Sequence, residues 1–86
     1  MTKESFYLYM IECSNGKYYT GTTSNIERRW QEHQEGLGAN YTRKYPPKKL
    51  VFVKEYQSID IAREVEIKVK KWSQEKKKKL ISGEWE

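Results

Sequence analysis

The segment FYLYMIECSNGKYYTG, residues 6–21, predicts a β-hairpin around which the rest of the chain is arranged. Phe6–Cys13 is rich in aromatic and aliphatic residues on both of its faces, which is typical of a strand covered on both sides. Asn15-Gly16 is a strong turn signal because this pair accepts positive φ. Tyr18–Gly21 is then the returning strand. We therefore expect Phe6–Cys13 to lie at the centre of a sheet.

The length of the hairpin loop decides which tyrosines share a face of this sheet. A two-residue turn would pair Glu12 with Tyr19 and would place Tyr9 and Tyr19 on opposite faces. A three-residue loop with Gly16 as a bulge residue would place both tyrosines on one face. We predict the three-residue loop.

A first helix is expected directly after the hairpin. Ser24 and Glu27 have the spacing of a capping box, in which the side chains at the N-cap and three residues later cap each other's backbone N–H groups. The helix is predicted to run from Asn25 to Glu35 and to end at Gly36. Its apolar stripe comprises Ile26, Trp30 and Leu37.

The second half of the chain predicts one strand and two longer helices. Ser58 and Ser73 are the expected N-caps of these helices, and Pro46-Pro47 favours an extended segment before the strand. The predicted elements are a helical turn at Tyr41–Lys44, a strand at Leu50–Tyr56, a helix at Ile59–Lys71 with Ile61, Ala62, Val65, Val69 and Trp72 facing the core, and a last helix at Gln74–Ser82 that Gly83 ends.

The resulting element order, β-β-α-β-α-α, predicts an α/β chain of the α+β type. The simplest arrangement is a three-stranded, mostly antiparallel sheet flanked by helices. We expect a single domain, 1–86, with a core at about residues 6–81, because a chain of 86 residues buries only a modest core.

The composition limits the partners and the compartment. A net charge of +5 favours an anionic partner, either nucleic acid or a membrane surface. The N-terminus is polar and no apolar stretch approaches the ~20 residues that span a bilayer, so we expect no membrane association and a cytoplasmic location. A single cysteine, Cys13, and a single histidine exclude an internal disulfide and a structural metal site.

Glu66 is the first candidate functional residue. It lies at or inside the edge of the apolar stripe of its helix, where a carboxylate is costly unless it is paired or bound to a metal. The structural alternative is an ion pair with Lys70, four residues later.

Arg29 and His33 form the second candidate pair, since residues four apart project from one helix face. Arginine offers a planar fork to phosphate oxygens, and histidine titrates near neutral pH. The alternative is a solvated helix face, on which Arg28 and Glu32 are further surface charges.

The third candidates are Tyr9 and Tyr19, whose phenols could activate water, although tyrosine is also ordinary in strands. The seven lysines between Lys68 and Lys79 are most simply a solvated surface, but they could also neutralise phosphates and give salt-dependent binding.

Taken in order, these motifs resemble the GIY-YIG nuclease family, and in particular its small stand-alone bacterial members. Tyr7-Leu8-Tyr9 and Tyr19-Thr20-Gly21 stand where the two family triplets belong, and Arg29 follows Tyr19 by ten residues, as the family arginine does. The resemblance extends from about Phe6 to Ile81. The other matching positions are Trp30 and His33, Gly36 and Gly38, Tyr41 and Thr42, Leu50 and Val51, and Ala62, Glu66, Val69, Lys70, Trp72 and Ser73.

The resemblance implies an antiparallel sheet with flanking helices and metal-dependent hydrolysis of phosphodiester bonds. Glu66 would anchor a single Mg²⁺ or Mn²⁺ ion, held loosely or absent without substrate. Arg29 would clamp the scissile phosphate and His33 would help proton transfer or orientation. Either Tyr19 or Tyr9 would assist the attacking water.

The resemblance also suggests a nucleic-acid substrate, with DNA favoured over RNA, and a role in repair or recombination. The residues expected to contact the nucleic acid outside the catalytic set are Arg28, Tyr41, Arg43, Lys70 and Lys71.

Two alternatives stay open. Many catalytic family members carry an asparagine downstream of the glutamate, whereas every asparagine here precedes Glu66, and Gln74 is the amide that could replace it. The first alternative is therefore a nucleic-acid-binding module with little or no catalysis.

An 86-residue domain also offers few contacts for choosing a substrate. The second alternative is therefore a nuclease module that needs a protein partner or a homodimer.

Overall fold

The middle strand of the sheet is β1 (Phe6–Cys13), as predicted. In the computed structural model, which describes residues 5–83, β1 pairs antiparallel with β2 (Tyr18–Thr23) on one side and with β3 (Pro47–Tyr56) on the other. The helices are α1 (Ile26–Gln34), the short α2 (Asn40–Lys44), α3 (Ile59–Lys70) and α4 (Gln74–Ser82). The predicted antiparallel sheet and element order are confirmed, with the expected helical turn appearing as α2. The rest of the expected domain 1–86 lies outside the described residues.

The hairpin between β1 and β2 has the three-residue loop. The Cys13 amide donates to the Lys17 carbonyl oxygen at 2.9 Å, and Gly16 adopts a φ of 81°. Glycine suits this position because it carries no Cβ to oppose a positive φ. Ile11 is therefore opposite Tyr19, and Tyr9 is opposite Gly21. Alternate residues share a face, so the prediction that Tyr9 and Tyr19 lie on the same face is correct.

The start of α1 differs from the prediction by one residue. Asn25, not Ser24, is the N-cap, and its side-chain oxygen accepts a 3.1 Å hydrogen bond from the Arg28 amide. The Asn25 amide in turn donates to the Thr23 hydroxyl oxygen at 3.1 Å. Asparagine caps at least as well as serine, so this arrangement replaces the expected capping box.

Three other boundaries or faces were predicted incorrectly. β3 begins at Pro47 rather than Leu50, which is tolerated because β3 is an edge strand. Leu37 is 72% exposed, because Gly36 with its φ of 80° turns the chain out of α1. Ile61 is 50% exposed and does not face the core.

The later helix caps follow the sequence prediction. Ser58 accepts a hydrogen bond from the Ile61 amide, and Ser73 accepts one from the Lys76 amide. Gly83 ends α4 with a φ of 83°. None of the helices within residues 5–83 is both long and apolar enough to cross a membrane.

The core is divided by the sheet into two clusters. On the face that carries α3 and α4, the buried residues Leu8, Met10 and Val69 pack with partly buried Trp72. The opposite face, which carries α1 and α2, buries a second cluster that consists of Tyr9, Ile11 and Cys13, packed with Ile26, Trp30 and Tyr41. β1 is thus covered on both faces, and both clusters depend on it.

Val69→Ala is expected to lower the free energy of unfolding by about 2 kcal/mol, because each buried methyl is worth ~0.8 kcal/mol and a cavity adds to the loss. Ile67→Ala is the matched control on the same helix, since Ile67 is 57% exposed. It should change stability by less than about 0.5 kcal/mol. Urea unfolding followed by circular dichroism measures both values, and equal losses would contradict the assignment of the α3 core face.

Candidate active site

The candidate residues meet at the outer edge of β2, where the two faces of the sheet adjoin. Tyr9 and Tyr19 belong to the α1 face. Glu66 comes from α3 on the other face, where its Oε1 accepts a 3.1 Å hydrogen bond from the Thr22 hydroxyl. Lys70, also on α3, reaches back so that its Nζ lies 5.9 Å from the centre of the Tyr19 ring. Because no strand within residues 5–83 pairs with the outer side of β2, groups from both faces can approach each other around it.

Tyr9 crosses the backbone of β2 at Gly21. The two residues are opposite in the strand pairing, and the phenol lies directly against the glycine. A Cβ atom at Gly21 would be 2.6 Å from the Tyr9 Oη, a distance that real Cβ contacts do not show. The glycine of the second triplet is therefore required for the position of the tyrosine of the first.

A chain of hydrogen bonds runs inward from Tyr9. Its Oη is 2.8 Å from His33 Nε2, and His33 Nδ1 is 2.7 Å from the Thr42 Oγ1. The Thr42 hydroxyl donates its one proton to the Ala39 carbonyl oxygen at 3.2 Å. Thr42 must therefore accept from Nδ1–H, which leaves Nε2 of the neutral imidazole as the acceptor for the Tyr9 hydroxyl.

Both groups at the centre of this chain are held neutral. Burial, reinforced by the positive charge of Arg29, lowers the pKa of His33 to about 4. Burial raises the pKa of Tyr9 to about 12, against the opposing hydrogen bond from Arg29. Gly38 lies against the His33 ring so closely that a Cβ atom there would overlap it. The Tyr9–His33 pair is thus a rigid, uncharged support at neutral pH.

Arg29 is fixed by three different acceptors. Its Nε donates to Tyr9 Oη at 3.4 Å, its Nη1 to the Glu32 carboxylate at 3.0 Å, and its Nη2 to the Gly38 carbonyl oxygen at 2.8 Å. The hydrogen bond to Tyr9 is the main reason that the pKa of Arg29 is raised. These contacts use three of the five N–H donors of a guanidinium. The side chain is 31% exposed, so the remaining donors can meet an anion from solvent.

The alternative of a solvated Arg29/His33 face is therefore wrong for His33, which is fully buried. It is correct for Arg28, an exposed residue of α1 whose Nε is 3.9 Å from Glu32.

The structural hypothesis for Glu66 is confirmed, and its functional role stays a prediction. Its Oε2 is 2.9 Å from Lys70 Nζ, which is the predicted structural ion pair. Its side chain is only 18% exposed, and its partner Lys70 lies over the Tyr19 ring. Each carboxylate oxygen carries two lone pairs, so the contacts with Thr22 and Lys70 leave capacity for a further ligand.

The side chains of the site could hold a divalent cation in one way only, with Glu66 as the single carboxylate ligand. Within residues 5–83 no group of three or more histidine, cysteine or acidic side chains could hold a metal. Mg²⁺, however, is commonly held by one or two carboxylates together with substrate phosphates and waters. Glu66 fits this mode, in which the nucleic acid itself completes the coordination.

Tyr19 is the half-exposed phenol of the site. Its ring centre is 5.3 Å from that of His33 and 6.1 Å from that of Tyr41, with which it stacks at 23°. The Tyr41 hydroxyl accepts a 2.9 Å hydrogen bond from Asn15 in the hairpin loop. Tyr19 thus lies between the buried Tyr9–His33 pair and the solvent-exposed surface.

The five predicted nucleic-acid contacts divide into two groups. Tyr41 and Lys70 lie in the site itself. Arg28, Arg43 and Lys71 are exposed and make no described contact with the site residues. Gln74 donates a 2.6 Å hydrogen bond to the Gly16 carbonyl oxygen in the hairpin loop, so its amide is engaged with the hairpin.

Sequence reasoning assigned no role to Thr22 or Thr42. Both follow a motif that was recognised, Thr22 after the second triplet and Thr42 after Tyr41. The only available signal was a hydroxyl directly after a candidate tyrosine or glycine, which is too common to be specific.

The comparisons with known proteins agree with this fold. The family model described as the GIY-YIG catalytic domain matches residues 5–79. A UPF0213 protein of Natronomonas pharaonis is 40% identical over 78 residues, covering 91% of this chain and 92% of the relative. A UPF0213 protein of Halalkalibacterium halodurans is 41% identical over 76 residues, covering 88% and 81%.

A solution NMR structure of a UPF0213 protein from Bacillus halodurans superimposes with a TM-score of 0.59 at 40% identity, covering 91% of this chain and 83% of that one. The chain belongs to the GIY-YIG family, whose catalytic domain is that of nucleases acting on nucleic acid.

The buried state of His33 makes stability depend on pH in a defined direction. Its folded-state pKa of about 4 lies below the ordinary value of 6.5, so the unfolded chain binds more protons between these values. The stabilisation by neutral His33 is complete above pH 6.5 and is lost progressively as the pH falls toward 4.

His33 is the only histidine, so NMR titration of the imidazole carbons reports it without overlap. Urea unfolding of the wild type and of His33→Gln at pH 7 and pH 5 should show a difference in stability that shrinks at the lower pH. A His33 imidazole with a pKa near 6.5 would contradict the buried hydrogen-bond chain from Tyr9 through His33 to Thr42.

Proposed function

We propose that this protein is a metal-dependent endonuclease that hydrolyses phosphodiester bonds, with DNA as the favoured substrate and repair or recombination as its setting. The observation that carries the proposal is that three groups are held around the edge of β2. Arg29 donates to the Tyr9 hydroxyl at 3.4 Å, and the Tyr19 ring centre is 6.4 Å from that of Tyr9. Glu66 accepts from Thr22 of β2 at 3.1 Å. A cationic fork, a phenol and a carboxylate on one open edge are the groups that phosphate binding, water positioning and metal binding each require.

Arg29 would bind the scissile phosphate through the N–H donors that its internal contacts leave available. The neutral Tyr9–His33 support holds the guanidinium in place before substrate arrives. Such preorganisation matters because donors that are already oriented need no rearrangement as charge develops on the phosphate.

Tyr19 is the better placed of the two tyrosines to contact the attacking water. Tyr9 is 1% exposed and its hydroxyl proton is donated to His33. Tyr19 is partly exposed and lines a concavity that is open to solvent. We therefore assign Tyr19 the water-positioning role and Tyr9 and His33 the role of positioning Arg29.

Glu66 would hold the Mg²⁺ or Mn²⁺ ion, displacing or sharing its contact with Lys70. The bound ion would supply charge stabilisation at the phosphate and a more acidic water. A chain with a net charge of +5 adds a general attraction for the nucleic-acid backbone.

A binding module without catalysis is the second candidate, and the position of Gln74 is the observation in its favour. Its amide is engaged with the hairpin loop at Gly16, so the amide that could replace the missing downstream asparagine contacts another partner. A protein partner or a homodimer remains the proposed way for such a small domain to gain substrate selectivity.

Glu66→Gln is expected to reduce metal-dependent cleavage by about 10³-fold, because the metal contributes several kcal/mol to the stabilisation of the transition state. Glu64→Gln is the matched control, since Glu64 is an exposed residue of the same helix and the charge change is identical. Labelled single-stranded, duplex, flap and junction DNA, and RNA, are incubated with and without Mg²⁺ or Mn²⁺. Full activity in Glu66→Gln, with circular dichroism unchanged, would end the proposed mechanism.

Phenylalanine variants distinguish the roles of Tyr9 and Tyr19. Tyr19→Phe should lower kcat by about 10²- to 10⁴-fold, the usual scale of a lost proton-transfer group, with little change in stability. Tyr9→Phe should cost about 1–3 kcal/mol of stability, because it leaves the buried His33 Nε2 without a donor. Single-turnover cleavage and urea unfolding measure the two effects. A larger kcat loss in Tyr9→Phe without destabilisation would reverse the assignment.

A further inference from the structure

A concavity of about 570 Å³ opens beside the candidate site, at the same edge of β2. It shares Tyr19 and Lys70 with that site and extends from there toward α4. Its volume lies within the range of about 300–1,000 Å³ that is typical of pockets for small organic groups. A substrate bound at Arg29 and Glu66 would therefore have a cavity next to its scissile phosphate.

The lining of this concavity alternates aromatic rings and lysines. Tyr18 and Trp72 contribute rings on the α4 side, and Lys17 and Lys77 contribute ammonium groups. Among residues 5–83, no acidic side chain lines it. Aromatic rings interleaved with cations are the arrangement by which proteins hold the bases and phosphates of unpaired nucleic acid.

A buried polar group in the lining lacks a partner. Thr20 is 2% exposed, and its hydroxyl is without a hydrogen-bond partner among the described residues. A buried hydroxyl left unpaired costs about 1–3 kcal/mol. A ligand that brings a polar atom to this position, such as the edge of a base, would relieve that cost.

Lys77 supports the same conclusion from its surroundings. It is partly buried, and burial together with the charge of Lys70 lowers its pKa. An anion beside the partly buried Lys77 ammonium would stabilise its charged form. A phosphate adjoining the scissile one would supply that anion.

We propose that this concavity receives an unpaired nucleotide next to the scissile phosphate, so that the substrate is single-stranded or locally unpaired nucleic acid. The inference rests on the proposed nuclease function for the position of the scissile phosphate. A base within a duplex has both faces covered by its neighbours and cannot stack on side chains. An unpaired base can enter the concavity with its phosphate on Lys77 and its edge at Thr20.

The test measures binding in EDTA, so that no cleavage is needed. Fluorescence anisotropy compares a labelled single-stranded oligodeoxynucleotide, its duplex, its RNA counterpart and the same strand with abasic sites. We expect the single strand to bind at least about tenfold more tightly than the duplex. The abasic strand should bind about 5- to 100-fold more weakly, because each stacked base is worth about 1–3 kcal/mol. The DNA and RNA arms show which sugar is preferred.

Two variants and one control place the ligand in the concavity. Lys77→Gln should weaken single-strand binding about tenfold, since hydrogen bonds to charged groups contribute about 1.5–3 kcal/mol. Thr20→Val should weaken it about fivefold while leaving the folded state at least as stable, because it removes an unpaired buried hydroxyl. Lys48→Gln makes the same charge change on β3, at the opposite edge of the sheet, and should have less than a twofold effect.

Equal binding of single strand and duplex, or of normal and abasic strands, would overturn this inference. So would equal effects of Lys77→Gln and Lys48→Gln. Cleavage of duplex and single strand at the same rate would also reject it while leaving the nuclease proposal intact. Selective, Lys77-dependent binding without any metal-dependent cleavage would keep it and reject the nuclease proposal instead.

Discussion

The position of the whole site depends on one steric fact, the passage of the Tyr9 ring across the β2 backbone at Gly21. The two residues are paired in the hairpin, and the phenol occupies the volume that a side chain at Gly21 would need. This passage brings the Tyr9 hydroxyl to His33 and to Arg29 at once. If the loop were one residue shorter, the register would change and Tyr19 would leave this face of the sheet. The Asn15-Gly16 turn is thus part of the site, through the register that it sets and through the hydrogen bond from Asn15 to Tyr41.

The buried network of hydrogen bonds fixes the position of the Arg29 guanidinium relative to β1. Thr42 sets the tautomer of His33, His33 accepts from Tyr9, and Tyr9 accepts from Arg29. Each group in the chain has its partner, so the cost of burying it is met by hydrogen bonds. Because the imidazole and the phenol remain neutral, the only charge they must support is that of Arg29. A charged imidazolium at this place would repel the guanidinium, which agrees with the lowered pKa of His33.

The sequence predicted the sheet, the hairpin register and the caps at Ser58 and Ser73 because these depend on local chemistry. It also placed Arg29 and His33 on one face of a helix, which follows from their spacing. It could not show that His33 is buried, since burial depends on Thr42 and Gly38, which belong to the segment after α1. It also missed Asn25 as the N-cap, because Ser24 and Asn25 both suit that position. It missed the exposure of Leu37, because Gly36 turns the chain out of α1. Nor could it choose between the ion pair and the catalytic role of Glu66, because the structure makes these compatible.

An edge strand is ordinarily a liability, because its unpaired backbone groups can recruit another strand. Here the free edge of β2 allows side chains from both faces of the sheet to approach each other. Only at such an edge can Tyr19 from one face of the sheet approach Glu66 and Lys70 from the other. A fourth strand beside β2 would separate these groups and would also fill the concavity lined by Tyr18 and Thr20. The lysines that line that concavity discourage pairing with another strand. The free edge of β2 is therefore the place where groups from both faces of the sheet come together, and the candidate site lies there.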